Sequence, residues 1–540
     1  MQEKLELKLG ESQFVHMKVS AQILEHLSKG IYSNPARSIK ELISNAFDAD
    51  APHVIIRAKP ELDTFSIHDN GIGMDYKDFE DKFLFISRTK KRDEGLYTNG
   101  IYSKFKRPII GKIGIGFVAV SQICDKMQVI SSKEGQDFKF EALIDFGKFR
   151  KTEAKKKDIY ELSEVTMTNY KEEAAAHYTI IILKELEQGF KRYLEEKIES
   201  PEFEGKTFEQ IIALVEKKAE KLKSGFDLSK HIGRYWQMLF EIANTVPVRY
   251  MENGPINIAK VKADKSELNK KLEIINQIKE YVGALNFDID FDGLSLRKPI
   301  RLPTTGDNYE LGPDFNIFPF EEALKVNDSK LKFKGYLYNQ KESIYPPQLR
   351  GLLIRIKNTA IGGADPGFLD YLRGDKLFFN WTFGEIYIEE GLEEAMNINR
   401  SSFTITHPDY QTLRGYIHDL LQKQIFPECR KRYINRVRLH YEKEGQQRKR
   451  VIEVILQHTF GKSIELNWID GRCDVPVKID VKNGIANIYR SHFIFKNIPK
   501  RDRSILENIF VLLFISYEIS KGDSEKMINY FLSNFDKLCE

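Results

Sequence analysis

The hydrophobic positions between Asn34 and Asp50 repeat with the period of an α-helix. Apolar residues recur there at intervals of three and four positions, namely Ile39, Leu42, Ile43, Ala46 and Phe47. This spacing places them on one face of a helix. Asn34 is a favourable N-cap, Pro35 suits the first helical turn, and Pro52 prevents the helix from continuing. We therefore predict a helix with one buried apolar face.

A second, polar face of the same helix carries Glu41, Asn45 and Asp48, which are separated by four and three positions. A carboxylate and an amide one turn apart can hold a water molecule and a hard divalent cation side by side. Taken alone, the pattern favours an ordinary amphipathic helix with a solvated face. Its interpretation therefore depends on the segments that follow.

Alternation of apolar positions predicts two strands after this helix, at 53–57 and 65–68. The second strand runs directly into Asp69-Asn70-Gly71-Ile72-Gly73-Met74. An acidic residue at a strand end, followed by two glycines, suits a loop whose backbone approaches a flat ligand closely. A simple turn is the alternative, because Asp-Asn-Gly is also a common turn sequence.

A glycine-rich stretch follows a predicted helix at 76–86 and a polar, basic segment at 87–110 that contains Lys90. The segment lacks clear periodicity and is a candidate lid, with a disordered surface loop as the alternative. The stretch is Gly111-Lys112-Ile113-Gly114-Ile115-Gly116-Phe117, and it opens a predicted apolar helix at 118–124. Glycines at a helix N-terminus present N–H groups to phosphate. The motif matches neither a Walker loop nor a dinucleotide fingerprint.

The remaining pattern predicts four domains, at 1–190, 191–228, 229–425 and 426–540. Strands at 127–130, 138–140 and 178–183 are expected to complete the sheet of the first domain, and a charged helical connector follows it. The third segment contains predicted strands at 332–338 and 352–356. The fourth segment combines basic helices at 430–450, a strand-rich part at 464–489 and an apolar helix at 504–519.

Composition narrows the class of protein. With 540 residues the chain is too long for one core. The 83 basic and 79 acidic residues leave a formal net charge of only +4, so there is no bulk electrostatic case for nucleic acid. The four cysteines are widely spaced, which indicates neither a zinc site nor a disulfide framework. The N-terminus does not resemble a signal peptide and no apolar run is long enough to span a membrane, so we expect a cytoplasmic protein.

Three motifs, in this order, resemble the N, G1 and G2 boxes of the GHKL ATPases. They are E-L-I-S-N-A-F-D-A at 41–49, D-N-G-I-G-M at 69–74 and G-K-I-G-I-G-F at 111–117. That superfamily covers gyrase, the ninety-kilodalton heat-shock chaperones, sensor histidine kinases and MutL, with the microrchidia proteins as relatives. A fourth family element is matched by Thr179, although Tyr178 stands where glycine is usual. The resemblance implies an α/β (α+β) fold, a two-layer sandwich with a mixed sheet whose helices cover one face.

The resemblance also implies ATP and Mg²⁺ as ligands and a role for each matching residue. Glu41 would be the general base that activates water, Asn45 would coordinate Mg²⁺, and Asp69 would accept from the adenine amino group. Gly73 would let the base lie against the backbone and Met74 would contact it. The other positions assigned to the nucleotide site are Gly71, Lys90, Gly111, Lys112, Gly114, Gly116, Phe117 and Thr179.

Met396-Asn397-Ile398-Asn399-Arg400 resembles a loop in the middle, transducer-type domain of the heat-shock chaperones, with methionine in place of leucine. The resemblance implies that Arg400 senses the terminal phosphate and stabilises the transition state. The alternative is a surface or interface arginine.

Glu41 favours the hydrolysing branch of the superfamily over the sensor kinases. We therefore expect an ATPase whose homodimer closes on ATP and which remodels a protein partner in a chaperone-like manner. The alternative is an ATP-gated clamp on DNA or RNA, in repair or anti-phage defence. Its surface would be the basic cluster within 430–450, which is otherwise a solvated helix face. A degenerate nucleotide-binding scaffold is disfavoured, because Glu41, Asn45 and Asp69 are all present.

Overall fold

The computed structural model of the protein divides into two compact units, Met1–Phe426 and Pro427–Glu540, which we describe separately. It describes residues 34–84, 98, 106–110, 116–146, 165–199, 201–257, 265–303, 315–327, 329–372, 376–397, 400–460, 464–471, 474–480, 482–496 and 500–539. In these ranges no helix has the length and hydropathy needed to cross a membrane.

The first helix, α1 (Pro35–Asp48), forms as the hydrophobic pattern predicts. The side chain of Asn34 caps it by accepting a hydrogen bond from the backbone N–H of Ala36 at 2.9 Å. All five residues of the predicted apolar face are buried, and Ile39, Ile43 and Phe47 are 0% exposed. The prediction of a helix with one buried apolar face is therefore confirmed.

The described residues of the first unit form strands along most of its length. They are β1 (His53–Lys59), β2 (Thr64–Asp69), β3 (Cys124–Ser132), β4 (Phe138–Asp145), β5 (Thr166–Lys171), β6 (Tyr178–Leu186), β7 (Asp288–Phe291), β8 (Leu294–Ser295), β9 (Phe315–Val326), β10 (Ser329–Gln340), β11 (Gly351–Ile356), β12 (Thr359–Ala360) and β13 (Thr382–Glu390). All five strands predicted for this unit from 53 to 183 are present, and so are the two predicted at 332–338 and 352–356.

The α-helices that follow α1 in this unit are α2 (Tyr76–Asp78), α3 (Gln188–Glu195), α4 (Phe208–Leu222), α5 (Leu228–Ile232), α6 (Arg234–Thr245), α7 (Lys265–Ala284), α8 (Lys376–Phe379) and α9 (Pro408–Leu420). Shorter helical segments are Pro60–Leu62, Phe79–Leu84, Gly116–Gln122, Glu196–Glu199, Pro201–Phe203, Lys223–Gly225, Pro347–Leu349 and Leu421–Ile425. The helices α3, α4 and α5 confirm the prediction of a helical stretch between 190 and 228.

Within the described residues, β1 to β8 form one mixed sheet in the order β5-β4-β3-β6-β2-β1-β7-β8. Strands β1 and β7 pair in parallel, and the other neighbours are antiparallel. The prediction that strands before residue 190 complete this sheet is wrong. Strands β7 and β8 extend it beyond β1, because β7 returns to pair with β1 after the five α-helices α3 to α7.

Two local predictions near the glycine-rich stretch need correction. The apolar helix predicted at 118–124 is a 3₁₀ segment, Gly116–Gln122, and Cys124 already begins β3. Cys124 pairs with Leu186 of β6, so strand pairing ends the helical segment earlier than the apolar pattern implies. The helix predicted at 76–86 is a single turn, α2, followed by a π-helical segment, Phe79–Leu84.

The second sheet of this unit has the order β12-β11-β13-β10-β9 among the described residues. Every residue of β11 is buried, so the sheet is covered on both faces there. The buried carboxylate of Glu385 accepts hydrogen bonds from Tyr250 at 2.8 Å, from Tyr336 at 2.7 Å and from Nε of Arg355 at 2.8 Å. These partners compensate a charge that would otherwise be costly in the core.

Helix α10 (Phe426–Phe460) leads into the second unit, so the predicted basic helices at 430–450 are one continuous helix. Strands β14 (Glu465–Ile469), β15 (Val477–Asp480) and β16 (Ile485–Tyr489) confirm the strand-rich part. The last elements are α11 (Phe493–Lys496), α12 (Lys500–Ser520) and α13 (Ser524–Cys539). Helix α12 confirms the predicted apolar helix, whereas α13 was missed. Buried Glu507 accepts a hydrogen bond from Nε1 of Trp468 at 2.7 Å.

Arg107, one of the basic residues of the predicted lid, is 0% exposed. Its guanidinium donates to the carbonyls of Leu285, Ala51 and Asn286 at 2.9, 2.8 and 2.7 Å. It also lies 3.5 Å from the carboxylate of Asp50. Arg107 therefore fastens the described end of this segment to the end of α1 and to the loop before β7.

Replacement of Arg107 by methionine is expected to lower the free energy of unfolding by about 3–5 kcal/mol, because the buried carboxylate of Asp50 would lose the guanidinium that balances its charge. Urea unfolding measures the change. The matched control is Arg57→Met, which removes an ion pair with Asp290 whose side chains are 38% and 43% exposed. The control should cost at most about 1 kcal/mol. Equal losses for both variants would contradict the anchoring role.

Candidate functional site

Asp69 lies at the end of β2 and is 6% exposed. One of its carboxylate oxygens accepts a hydrogen bond from the backbone N–H of Gly71 at 3.0 Å. Burial raises the pKa of Asp69 to about 7, and the Gly71 hydrogen bond only partly opposes this shift. A buried carboxyl that titrates near neutral pH is a common feature of binding sites.

Two small polar side chains lie in line with Asp69 on the next two strands of the sheet, β6 and β3. Thr179 of β6 pairs directly with Asp69 in the sheet. The hydroxyl of Thr179 lies 3.0 Å from the hydroxyl of Ser131 on β3, and the same Ser131 oxygen accepts from the backbone N–H of Met74 at 2.9 Å. Sequence reasoning missed Ser131, because a serine within a strand carries no motif and only the pairing of β3 with β6 brings it here.

The two glycines of the loop after β2 are required by backbone packing. A Cβ on Gly73 would lie 1.8 Å from the carbonyl oxygen of Ser132, and the residue has a φ of +65°. A Cβ on Gly71 would lie 2.6 Å from the carbonyl oxygen of Ala49. The loop is thus pressed between β3 and the end of α1, which holds Asp69 in place. The approach of an adenine base to Gly73 remains a prediction.

The polar face of α1 is partly buried. Glu41 is 6% exposed, Asn45 is intermediate in burial, and Asp48 accepts a hydrogen bond from the backbone N–H of Ile110 at 2.7 Å. Asp48 therefore ties the helix to the segment that precedes the glycine-rich stretch. The alternative of an ordinary solvated face does not hold for Glu41, because other parts of the first unit cover it.

Arg400 is the residue that meets Glu41. It lies beyond β13, and its guanidinium is 3.7 Å from the Glu41 carboxylate, with both side chains 8% exposed. The backbone of Arg400 has a φ of 49°, which is unfavourable for a side chain of this size. The structure thus brings together two residues that are separated by most of the first unit.

The backbone around Arg400 is held from two sides. The carbonyl of Asn397 accepts from the N–H of Arg400 at 2.9 Å, and the carbonyl of Arg400 accepts from the N–H of Gly362 at 3.1 Å. A Cβ on Gly362 would lie 2.5 Å from the carbonyl oxygen of Ser401. Gly362, which sequence reasoning did not assign to the site, therefore permits the close approach of these two segments.

Lys40, next to Glu41, is a further residue that the sequence analysis missed. Its ammonium donates to the carbonyl of Ala360 in β12 at 2.5 Å. Burial lowers the pKa of Lys40 to about 7, against the opposing effect of the Glu41 carboxylate and together with the repulsion of Arg400. A lysine among apolar helix positions gives no sequence signal for such a contact.

The glycine-rich stretch is described only in part. Gly116 and Phe117 lie in the 3₁₀ segment Gly116–Gln122. Lys90, Gly111, Lys112 and Gly114 lie outside the described residues, so their assignment to the nucleotide site stays a prediction.

The residues of the candidate site form two groups with different chemistry. Asp69, Thr179 and Ser131 offer a carboxyl and two hydroxyls at a sheet end, which suits a flat base that carries an amino group. Glu41 and Arg400 place a carboxylate and a guanidinium together, which suits a water molecule attacking a phosphate. The residues present therefore fit a purine nucleoside triphosphate.

Comparison with known families decides the class of this domain. Residues 32–179 match the family described as "Histidine kinase-, DNA gyrase B-, and HSP90-like ATPase". This segment is a GHKL ATPase domain. The predicted resemblance of the three motifs is thereby confirmed, and the GHKL domain contains α1, Asp69 and Thr179.

Proteins that are similar to part of this chain have names that indicate different functions. The match to "Putative type II restriction enzyme HgiDII" of Herpetosiphon aurantiacus is 39% identical over 22% of this chain and 18% of that protein. The match to the chaperone protein HtpG of Roseobacter denitrificans is 28% identical over 22% of this chain and 21% of that protein. The chain thus spans about a fifth of the length of these relatives.

A solved structure described as the N-terminal domain of a DNA repair protein aligns with 74% of this chain and 99% of that chain. Its sequence identity is 13% and its TM-score is 0.34, values from which we draw no conclusion.

The pKa of Asp69 predicts a pH-dependent effect of Asp69→Asn on stability. The unfolded carboxyl titrates near 3.8 and the folded one near 7, so the folded GHKL domain binds more protons between these values. Wild-type stability therefore falls as the pH rises through this window, whereas asparagine cannot ionise. The difference in thermal midpoint, variant minus wild type, is expected to increase between about pH 4 and about pH 7. A difference that is the same at both pH values would contradict the buried titration.

Proposed function

We propose that this protein is a Mg²⁺-dependent ATPase in which the nucleotide state of the GHKL domain controls the second sheet of the first unit. The observation that carries the proposal is the 3.7 Å approach of Arg400 to Glu41. The general base, Glu41, lies on α1, and the guanidinium of Arg400 comes from the segment after β13. Hydrolysis therefore requires the GHKL domain and the second sheet to be in place together.

In this mechanism Asp69 accepts a hydrogen bond from the adenine amino group, and Thr179 and Ser131 complete that end of the site. Glu41 orients the attacking water and takes its proton. Arg400 turns from Glu41 to the terminal phosphate and stabilises the charge that develops there. Asn45 would hold Mg²⁺, which neutralises phosphate charge when bound. At 3.7 Å the two groups form an ion pair without a hydrogen bond, and the negative charge of the terminal phosphate competes with Glu41 for Arg400.

The proposed architecture follows from the same roles. The GHKL domain is a two-layer sandwich with helices on one face, and the part containing β9 to β13 acts as a transducer-like domain. ATP orders the lid and closes a homodimer, and hydrolysis reopens it. In this role the protein acts like a chaperone and uses the cycle to remodel a protein partner. The 28% identity to a chaperone protein over 22% of this chain supports this choice.

The catalytic roles predict separate effects on turnover and binding. Glu41→Gln keeps the volume and removes the base, so phosphate release should fall about 10²- to 10⁴-fold while ATP still binds. Arg400→Ala should reduce turnover by about 10³-fold or more, because an arginine that stabilises phosphoryl transfer has effects of this size. Phosphate release and equilibrium titration with ATP measure the two properties.

The matched control is Glu389→Gln, which changes a carboxylate of β13 that pairs with Lys332 and Lys334. This control should retain wild-type turnover, because Glu389 belongs to neither group of the candidate site. Full turnover by Glu41→Gln would contradict the assignment of the base. Loss of turnover in the control as well would show that the assay responds to general damage of the second sheet.

An ATP-gated clamp on DNA or RNA is the second candidate function. The observation that favours it is the 39% identity to a protein named as a putative type II restriction enzyme, against 28% and 32% to two chaperone proteins. Neutralising Arg430, Lys431 and Arg432 of α10 would decide between the candidates. A salt-dependent complex with duplex DNA that these changes weaken supports the clamp, and its absence supports a protein partner.

A further inference from the structure

The hairpin formed by β11 and β12 has a tight two-residue turn. Arg355 pairs with Ala360 and Ile356 with Thr359, which leaves Lys357 and Asn358 at the turn. Both turn residues have positive φ, 51° and 66°. This combination is a type I′ turn, in which asparagine is favourable and lysine is strained. The turn therefore has a defined shape that its lysine does not favour.

Two lysines fix this hairpin against the GHKL domain. Lys40 of α1 donates to the carbonyl of Ala360 at 2.5 Å, and Lys357 donates to the carbonyl of Ile109 at 3.0 Å. Lys40, in the first contact, is adjacent to Glu41 in sequence. Ile109, in the second contact, is separated from the glycine-rich stretch by one residue, Ile110. The hairpin tip is thus held between the helix that carries the base and the segment leading to the phosphate motif.

Asn358 and Thr359, at the tip of the hairpin, are buried, and the polar atoms of their side chains make no hydrogen bonds within the part of the chain that the structure describes. Their exposed fractions are 2% and 1%. Among the described residues, neither polar atom of the Asn358 amide has a hydrogen-bond partner, and the hydroxyl of Thr359 has none either. Buried polar groups without partners are costly and rare in folded proteins. Two of these atoms, the Asn358 amide nitrogen and the Thr359 hydroxyl, can donate, and two such buried donors on adjacent residues indicate a ligand that accepts from them.

The charges near the hairpin indicate which ligand this is. Lys40, Lys357 and Arg400 bring positive charge to this place, and the acidic groups facing them are Glu41 and Glu393, the latter 3.1 Å from Lys357. The basic groups outnumber the two carboxylates, so this place favours an anion over a cation. Phosphate oxygens, in contrast, accept hydrogen bonds from neutral amide and hydroxyl donors and are attracted by the surrounding positive charge.

We propose that the Asn358 amide and the Thr359 hydroxyl donate hydrogen bonds to the terminal phosphate of bound ATP, an inference that rests on the proposed function. These two residues then distinguish ATP from ADP, because ADP lacks the group that satisfies them. The hairpin thereby transmits the presence of the terminal phosphate to β11, whose Arg355 donates to buried Glu385 at 2.8 Å. Release of phosphate leaves the two side chains unpaired again and favours movement of the hairpin.

Calorimetric titration in the presence of Mg²⁺ tests this inference, with ADP and with an ATP analogue whose terminal phosphate cannot be hydrolysed. Thr359→Val removes the hydroxyl at nearly constant volume, and Asn358→Gly removes the amide while suiting the positive φ. Each variant should bind the analogue about tenfold more weakly and ADP as wild type does, because one hydrogen bond to a charged group is lost. Thr359→Ser, which keeps the hydroxyl, should retain wild-type affinity for the analogue.

The opposite result has a distinct signature. If the unpaired atoms are only a cost to folding, Thr359→Val should raise the thermal midpoint and leave the affinity for both nucleotides unchanged. That outcome overturns the role of the hairpin but leaves the proposed ATPase intact. Failure of the wild-type protein to bind either nucleotide would overturn the proposed function and this inference together.

Discussion

The burial of two adjacent charged residues on α1 is the constraint on which the site depends. Lys40 and Glu41 are 7% and 6% exposed, and buried charges require partners. Both partners come from the second sheet and its loops, since Lys40 binds the carbonyl of Ala360 and Glu41 faces Arg400. The helix therefore cannot keep these charges buried unless the second sheet stays against it. This dependence gives a physical basis for coupling between a nucleotide and the rest of the first unit.

The two ends of the candidate site are built in different ways. Asp69 and Thr179 are paired strand residues, and the loop between Asp69 and Met74 is confined by backbone contacts at Gly73. This end is a rigid part of the sheet. The other end combines Glu41 of α1 with Arg400, which lies in a loop and has a positive φ. The adenine end is part of the sheet, whereas the phosphate end includes a loop. This difference fits a cycle in which the adenine end changes little between the ATP-bound and ADP-bound states, while the phosphate end responds to the terminal phosphate.

Sequence patterns predicted what local chemistry determines. The apolar face of α1, its capping by Asn34 and the strands that precede Asp69 all follow from periodicity and local hydrogen bonding. The pairing of β7 with β1 could not be predicted, because it joins segments more than two hundred residues apart. Ser131, Gly362 and the Lys40 contact were missed for the same reason, since each acts through a neighbour that is distant in sequence. Arg107 was wrongly grouped with lid residues because burial of an arginine leaves no trace in composition.

Hydrogen–deuterium exchange of the wild-type protein, with and without ATP and Mg²⁺, tests the central claim most directly. The claim is that one bound nucleotide is held jointly by the GHKL domain and by the loops of the second sheet. It predicts slower exchange in β2 and α1, and also in the hairpin between Gly351 and Ala360 and in the residues around Arg400. Protection restricted to residues before 190, or no protection at all, would contradict it.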